Sequence, residues 1–167
     1  MQIIPATAAY FASILDLNEA FVEVLAPLDR ERLERLDLLA TYHRVALDRD
    51  ELAGFVLAFG CETCHDSVNF RWFAARCSSF LYVDRVAVSA SRQGSGVGHL
   101  LYRDLFGFAA REGYDRVTCE IDTDPPNPRS ERFHESFGFA EVGSQRVEYV
   151  AGKPKRVSLR SAPVIRG

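Results

Sequence analysis

Val86-Ala-Val-Ser-Ala-Ser-Arg-Gln-Gly-Ser-Gly-Val-Gly98 is the most informative segment of this 167-residue chain. Its pattern is an apolar strand that runs into a glycine-rich turn and then into a helix. Glycines at positions 94, 96 and 98 lack a Cβ atom, so a bulky group can approach the backbone closely. The helix that follows presents unpaired N–H groups and the positive end of its dipole. The stretch therefore predicts a cradle for an anion, most often a phosphate.

Two familiar phosphate cradles fit this turn poorly. A nucleotide P-loop ends in Gly-Lys-Ser/Thr, but the chain's two lysines, Lys153 and Lys155, lie far from the turn. A dinucleotide turn, Gly-x-Gly-x-x-Gly, needs a glycine where this chain has His99. Its acidic residue is expected about 20 residues further on, and Glu120 and Asp122 lie near that distance. The dinucleotide interpretation is thus weakened but stays open.

A third pattern, Gln/Arg-x-x-Gly-x-Gly/Ala, is matched at every fixed position by residues 93–98. Further along, Asn127-Pro-Arg-Ser-Glu-Arg-Phe-His-Glu-Ser-Phe-Gly-Phe139 follows Asn-x-x-Ala-x-x-Leu-Tyr-x-x-x-Gly-Phe, with Ser130 at the alanine position and His134 at the tyrosine position. In this order the two motifs resemble the two signatures of the GNAT superfamily of N-acetyltransferases. The resemblance covers residues 80–143. One departure is Asp124-Pro-Pro ahead of the second motif, where the prolines stiffen the turn.

The length of the chain predicts one domain over residues 1–167. Strands are expected at 2–5, 42–47, 52–59, 80–88, 117–122, 141–150 and 156–159, and helices at 7–17, with Thr7 as its cap, 29–39, 97–111 and 127–138. Residues 61–79 hold an aromatic cluster without a clear period and are assigned to neither type. The fold class is α/β (α+β). The resemblance implies a GNAT-like mixed, mostly antiparallel central sheet of six to seven strands flanked by about four helices.

The resemblance also implies that acetyl-CoA binds at the glycine-rich turn, with no metal. The expected cofactor-binding residues are Val86, Ala87, Val88, Gln93, Gly94, Ser95, Gly96, Val97, Gly98, Asn127, Ser130 and Phe133. In the family, the strand equivalent to residues 86–88 splays away from the next one, and the pantetheine arm lies in the gap. By this analogy the backbone N–H of Val88 donates to the thioester carbonyl.

Three residues are candidates for the catalytic groups. Asp84 is the first choice for the base that takes the amine proton, because it lies four residues before Val88 and therefore on the same face of a strand. An ion pair with a nearby arginine is the alternative role for Asp84. Glu120 is the rival base, better placed than Asp122, which lies on the same face of the next strand. His134 stands where many relatives carry a tyrosine acid, so either it protonates the leaving thiolate or solvent does.

Composition limits the partners. The chain carries 20 Lys and Arg against 23 Asp and Glu, for a net charge of −3, so we expect neither nucleic acid nor a membrane surface as a partner. The N-terminal Met-Gln-Ile-Ile-Pro lacks the features of a secretory signal, so a cytoplasmic location is expected. Cys61-Glu-Thr-Cys64-His65 matches a haem c attachment motif and half of a zinc site, but chance occurrence in a loop is the favoured explanation.

The resemblance implies an acetyl-CoA-dependent N-acetyltransferase acting on a primary amine of a small molecule, an amino acid or a protein N-terminus, by direct attack on the thioester. The alternative is a non-catalytic acyl-CoA-binding sensor or interaction module. The acceptor site is expected to involve the early helices, residues 61–79 and the C-terminal strands. Phe70, Trp72 and Phe73 would line it or belong to the core, and Glu62 and Asp66 would bind a cationic amine. A homodimer is expected by family analogy alone.

Overall fold

The computed structural model describes residues 1–166 and contains one seven-stranded mixed sheet in the order β1-β2-β3-β4-β5-β7-β6. The strands are β1 (Gln2–Pro5), β2 (Tyr42–Asp48), β3 (Glu51–Gly60), β4 (Leu81–Val88), β5 (Arg116–Asp124), β6 (Ala140–Val150) and β7 (Lys153–Pro163). The α-helices are α1 (Phe11–Glu19), α2 (Arg30–Leu39), α3 (Val68–Ala74), α4 (Val97–Glu112) and α5 (Pro128–Glu135). Neighbouring strands run antiparallel except β4 and β5. The predicted fold class is confirmed.

The helices cover both faces of the sheet. The stripe of Val97, Leu101, Leu105 and Ala109 buries α4 against one face, because residues four apart lie on the same side of a helix. The opposite face carries α1 and α2 over one apolar cluster and α3 over another. Within residues 1–166, no helix is long and apolar enough to cross a bilayer.

Two local expectations differ from the structure. The unassigned segment contains α3, which Ser67 caps by accepting a hydrogen bond from the backbone N–H of Phe70. Phe70 and Phe73 of α3 belong to the core. The helical period was hard to see in the sequence because Trp72, an aromatic residue that is only partly buried, lies between these two buried positions. The first helix begins with a 3₁₀ turn at Ala8–Tyr10, and the side chain of Thr7 makes no cap hydrogen bond there.

A β-bulge in β4 and an early end to its pairing with β5 create the opening in the sheet. Leu57 pairs with Arg85 but the next residue of β3 pairs with Val83, so Asp84 is the extra residue of the bulge. On the other side, β4 and β5 pair only at two positions near their starts, Leu81 with Val117 being the first. Beyond those positions the strands diverge, as the resemblance implied.

The bulge overturns one inference from the sequence. Asp84 was expected to share a strand face with Val88, but strict alternation is broken at the extra residue. The side chain of Asp84 contacts Arg85, whose guanidinium reaches Asn18 of α1. Val88 instead packs against the apolar cluster below α4. Asp84 and Val88 therefore lie on opposite faces of the sheet.

Candidate active site

Two pockets meet at the gap between β4 and β5. The glycine-turn pocket, of about 920 Å³, lies between the end of β4, the start of α4 and α5. The carboxylate pocket, of about 670 Å³, lies between the α1–α2 loop, β4, β5 and β6. Five residues line both of them, and so mark the junction: Val24, Val86, Asn127, Ser130 and His134.

The glycine-turn pocket has the backbone geometry of an anion cradle. Gly96 precedes α4 with a φ of 87°, a left-handed conformation that side chains other than glycine rarely adopt. Gly98 lies in the first turn, where a Cβ atom would come within 3.1 Å of the ring of Phe133. Both glycines therefore leave the positive end of α4 open toward the pocket.

Cationic side chains surround this cradle. Arg92, Arg129 and Arg132 line the glycine-turn pocket, and within residues 1–166 its lining contains no aspartate or glutamate. Arg92 also pairs with Asp48 at 2.5 Å, whereas Arg129 contacts the side-chain oxygen of Gln93. Arg129 and Arg132 were not among the binding residues expected from the sequence. The sequence did carry a signal for them: they are three residues apart on a short helix after Asn127, and residues with this spacing lie on one face of a helix.

The expected cofactor residues converge here with one exception. Val86, Ala87, Val88, Gln93, Gly94, Gly96, Val97, Gly98, Asn127, Ser130 and Phe133 line the glycine-turn pocket. Ser95 does not line it, and its hydroxyl donates instead to the carbonyl of Arg92 at 2.6 Å. Asn127 caps α5 by accepting from the backbone N–H of Ser130 at 3.3 Å.

The free edge of β4 presents backbone donors to the gap. The backbone N–H of Ser89 donates to Ala53 on β3 at 2.9 Å. Because N–H groups of successive strand residues point to opposite sides, the N–H of Val88 points away from β3 and toward the gap. The carbonyl of Val88 accepts from the side chain of Gln93 at 3.2 Å, which links the strand edge to the glycine turn.

Glu120 is the carboxylate with the most unusual environment. It lies partly buried on β5 in the carboxylate pocket, and its Oε2 accepts a hydrogen bond from the hydroxyl of Tyr82 at 2.7 Å. Burial raises the pKa of Glu120 to about 8, and the charge of Asp84 adds to that rise against the lowering effect of the Tyr82 hydrogen bond. Such a carboxyl exchanges a proton near neutral pH.

Asp84 has the opposite character, although it lines the same pocket. Burial alone would raise the pKa of Asp84, but the charge of Arg85 and the hydrogen bond from His65 hold it well below its usual range. Nε of Arg85 donates to one carboxylate oxygen at 2.8 Å, and Nε2 of His65 lies 2.7 Å from the other. Asp84 therefore remains an ion-paired carboxylate, which is a poor proton acceptor.

His134 lies at the junction with both ring nitrogens engaged. Nδ1 is 2.7 Å from the carbonyl oxygen of Ser130, which can only accept, so Nδ1 carries the proton. Nε2 then accepts from the hydroxyl of Tyr102 at 2.7 Å. Burial lowers the pKa of His134 to about 4. The imidazole is therefore neutral at pH 7.

The remaining polar candidates are largely paired. Asp122 binds Lys155 at 2.7 Å, and Asp66 forms a two-point contact with Arg32. Glu62 accepts from the hydroxyl of Tyr114 at 2.7 Å and does not line the carboxylate pocket.

The Cys-x-x-Cys-His segment is not arranged as a metal site. Cys64 is exposed, and His65 is buried against Asp84. Over the described residues 1–166, no group of three histidine, cysteine or acidic side chains has the arrangement to hold a metal ion.

A buried amide that the sequence did not indicate bonds two residues that line the carboxylate pocket. Asn69 of α3 is fully buried, donates to the hydroxyl of Tyr149 at 2.6 Å and accepts from Gln145 at 2.6 Å. These contacts tie α3 to β6 across more than 70 residues of sequence, with separations of 80 and 76. No periodic pattern could reveal such a link, because it depends on the folded arrangement alone.

Comparison with known proteins identifies the family. The model of the Acetyltransferase (GNAT) family matches residues 11–139. A stretch of 61 residues is 41% identical to a phosphinothricin N-acetyltransferase from Streptomyces coelicolor, covering 36% of this chain and 34% of that protein. The chain thus matches about a third of the length of this curated relative.

Solved structures show the same fold over the whole chain. Ard1 from Thermoplasma volcanium has a TM-score of 0.80 at 14% identity, and the match covers 99% of this chain and 98% of the Ard1 chain. The protein yncA from Salmonella typhimurium, solved with its cofactor acetyl-CoA, has a TM-score of 0.73 at 21% identity, with 100% and 95% covered. At these identities the likeness establishes the fold alone.

Fold and motifs thus define a GNAT-type α/β protein with a splayed sheet. The family match spans well over half of the chain, so this protein belongs to the GNAT acetyltransferase family.

Proposed function

We propose that this protein is an acetyl-CoA-dependent N-acetyltransferase that acetylates a primary amine by direct attack on the thioester. The observation that carries this proposal is the meeting of two chemically different pockets beside the free edge of β4. One is lined by three arginines and no carboxylate among the described residues, and the other holds a carboxyl with a pKa near 8.

The residues of the glycine-turn pocket fit an acyl-CoA. The open N-terminus of α4 and the three arginines suit its phosphates, and the apolar walls of Val86, Val97 and Phe133 suit the pantetheine arm. When bound, acetyl-CoA supplies an activated acyl carbon next to the edge of β4. The N–H of Val88, which points into the gap, is placed to polarise a carbonyl held there.

Glu120 is the residue that we assign as the base. An amine attacks only when it is neutral, so a group in the acceptor pocket has to take its proton. A carboxyl with a pKa near 8 is matched to this task close to physiological pH, and the Tyr82 hydroxyl fixes its orientation. Asp84, in contrast, is paired with Arg85 and His65. This pairing lowers its pKa, so Asp84 is a poor proton acceptor.

His134 acts as a neutral hydrogen-bonding group in this proposal. Its position at the junction suits contact with the reacting atoms, but its lowered pKa leaves almost no imidazolium at pH 7. The Tyr102 hydroxyl beside it adds a second polar group to the same spot. Because Nδ1–H is donated to Ser130 and the Tyr102 hydroxyl is donated to Nε2, the pair fixes the polar lining where the two pockets join, and the leaving thiolate takes its proton from solvent.

A ligand-binding experiment tests the proposal first. Thermal unfolding is measured with acetyl-CoA, CoA and NADH in parallel. A ligand at about 100 times its Kd adds about 2.7 kcal/mol of stability, which raises the Tm by several degrees for a domain of this size. Stabilisation by acetyl-CoA and CoA alone supports the proposal, no shift with either contradicts it, and a shift with NADH alone favours the dinucleotide interpretation.

Turnover separates the enzyme from a non-catalytic sensor. Free CoA thiol is measured while amines are screened, including amino acids, N-terminal peptides and phosphinothricin, the last because of the relative named above. An enzyme releases thiol in proportion to the acceptor. Binding of acetyl-CoA without thiol release from any acceptor would favour the sensor, for which the neutral state of His134 is the supporting observation.

A further inference from the structure

The bulge in β4 brings two consecutive charged side chains together. Because Asp84 is the extra residue of the bulge, its side chain and that of Arg85 both lie on the α1 side of the sheet. The pair is almost completely buried, with side-chain exposures of 9% and 6%. A buried charge of this kind is retained when each of its hydrogen-bonding atoms has a partner.

Besides Asp84, Arg85 bonds the end of α1 and the loop that connects α1 with α2. Its Nη1 donates to the side-chain oxygen of Asn18 at 2.8 Å and to the carbonyl of Ala26 at 3.2 Å. The amide of Asn18, which is fully buried, donates to the same carbonyl of Ala26 at 3.2 Å. Two donors from α1 and β4 therefore hold one carbonyl of the α1–α2 connection.

Residues 24–27, called the roof segment below, form one wall of the carboxylate pocket. They lie outside any helix or strand. The backbone N–H groups of Val24 and Leu25 donate to the carbonyl of Phe21. The carbonyl of Ala26, in contrast, depends on the side chains of Asn18 and Arg85. At the other end of the connection, Nζ of Lys155 contacts the carbonyl of Glu23. Because Val24 lines both pockets, the position of the roof segment also affects the junction.

We propose that Arg85, oriented by Asp84, is a positioning residue that fixes the roof segment over the amine acceptor. This inference rests on the proposed function, in that it assigns the carboxylate pocket to the acceptor. Asp84 then serves the reaction through Arg85 and the loop. Removing the guanidinium frees the carbonyl of Ala26 from one of its two donors and lets the roof segment leave the pocket wall.

The test compares three variants with the wild-type chain. Asp84→Asn/Arg85→Met removes both charges together, so that neither is left buried and unpaired. Asn18→Leu keeps the ion pair but removes the second donor to Ala26 and one acceptor of Arg85. Arg103→Met, on the exposed side of α4 and outside both pockets, is the control for loss of a surface arginine.

Amide hydrogen exchange of residues 20–28 is the first readout. We expect exchange there to accelerate about 10-fold or more in the double variant, less in Asn18→Leu, and not at all in Arg103→Met, because a charge-assisted hydrogen bond holds the loop. The amides of β3 should be unaffected. Unchanged exchange in residues 20–28, or equal acceleration in β3, would overturn the proposal.

Kinetics with an amine found in the thiol-release screen give the second readout. The double variant should raise KM for the amine about 10-fold, with the Kd for acetyl-CoA within about twofold. Loss of the Asp84 charge also lowers the pKa of Glu120, so kcat is compared on the plateau of each pH profile, where it should stay within about threefold. A fall in kcat at unchanged KM would assign Asp84 to the chemical step and overturn the positioning role. If the wild-type chain acetylates no amine, the proposed function fails, and the exchange measurement still decides whether Arg85 anchors the loop.

Discussion

The two pockets beside β4 differ in how the sequence builds them. The glycine-turn pocket comes almost entirely from two short stretches of chain, 86–99 and 127–136, with Phe21 and Val24 added from the α1–α2 region. The carboxylate pocket takes its walls from the α1–α2 connection, the segment before α3, β4, β5 and β6. A site made of short stretches leaves a motif in the sequence, whereas a site made of distant segments does not.

Their electrostatics differ as well. Arg129 and Arg132 face a pocket lining without carboxylates among residues 1–166, so their charge is available to an anion, whereas Arg92 also pairs with Asp48. In the carboxylate pocket Asp84 and Asp122 are neutralised by Arg85 and Lys155, whereas Glu120 bonds the hydroxyl of Tyr82. We therefore expect the first pocket to bind charge and the second to move a proton.

The largest expected effect comes from Glu120→Gln. Loss of a general base should lower kcat about 100-fold or more, while the Kd for acetyl-CoA changes little, because Glu120 lines only the carboxylate pocket. Steady-state kinetics together with calorimetric titration of acetyl-CoA measure both quantities. A variant that loses cofactor affinity and turnover in parallel would remove the functional separation of the two pockets.

The pH profile of the same pair of proteins sharpens this prediction. Glu120 accepts a proton only when ionised, so wild-type kcat/KM should rise with pH and level off above an apparent pKa near 8. The Glu120→Gln profile should lack that rise. An unchanged profile would assign the rise to the acceptor amine and take the base role from Glu120.

His134→Phe should have the next largest effect, since His134 lies where the pockets join. Replacing the imidazole leaves the hydroxyl of Tyr102 without its acceptor and removes a polar group from the junction. We expect kcat to fall by more than about 10-fold, within the usual range for a catalytic hydrogen-bonding group. His134→Gln serves as the matched variant, because a side-chain amide can still accept a hydrogen bond.

The kinetics of the two His134 variants distinguish its roles. If a neutral hydrogen bond is what matters, His134→Gln should recover part of the lost rate. If the kcat of His134→Phe equals that of the wild type, His134 has no part in the mechanism and contributes to packing alone.

How far the sequence predicts the site follows from the same contrast. The glycine turn and the Asn127 motif predicted the strand edge, the cradle and α5, because each depends on residues close together in the chain. The role of Asp84 could not be read from alternation, since one extra residue in β4 moves its side chain to the other face. Glu120 was identified as a rival base, but its environment depends on Tyr82, which lies 38 residues away. The roles of all three candidates stay predictions.

Arg129→Gln/Arg132→Gln should have the smallest effect. It is the converse of Glu120→Gln, because it should change the Kd for acetyl-CoA and leave kcat nearly unchanged. Both arginines are exposed on α5 beside the cradle, so each contact with a phosphate is partly screened by solvent and salt. We expect the Kd for acetyl-CoA to rise about 10-fold at low salt, with a smaller difference at high salt and kcat at saturation within about twofold.

Arg103→Gln is the control for a lost surface arginine. Calorimetric titration at two salt concentrations measures the effect, and equal affinity of the double variant and the control would show that the backbone cradle of α4 binds the anion without these side chains.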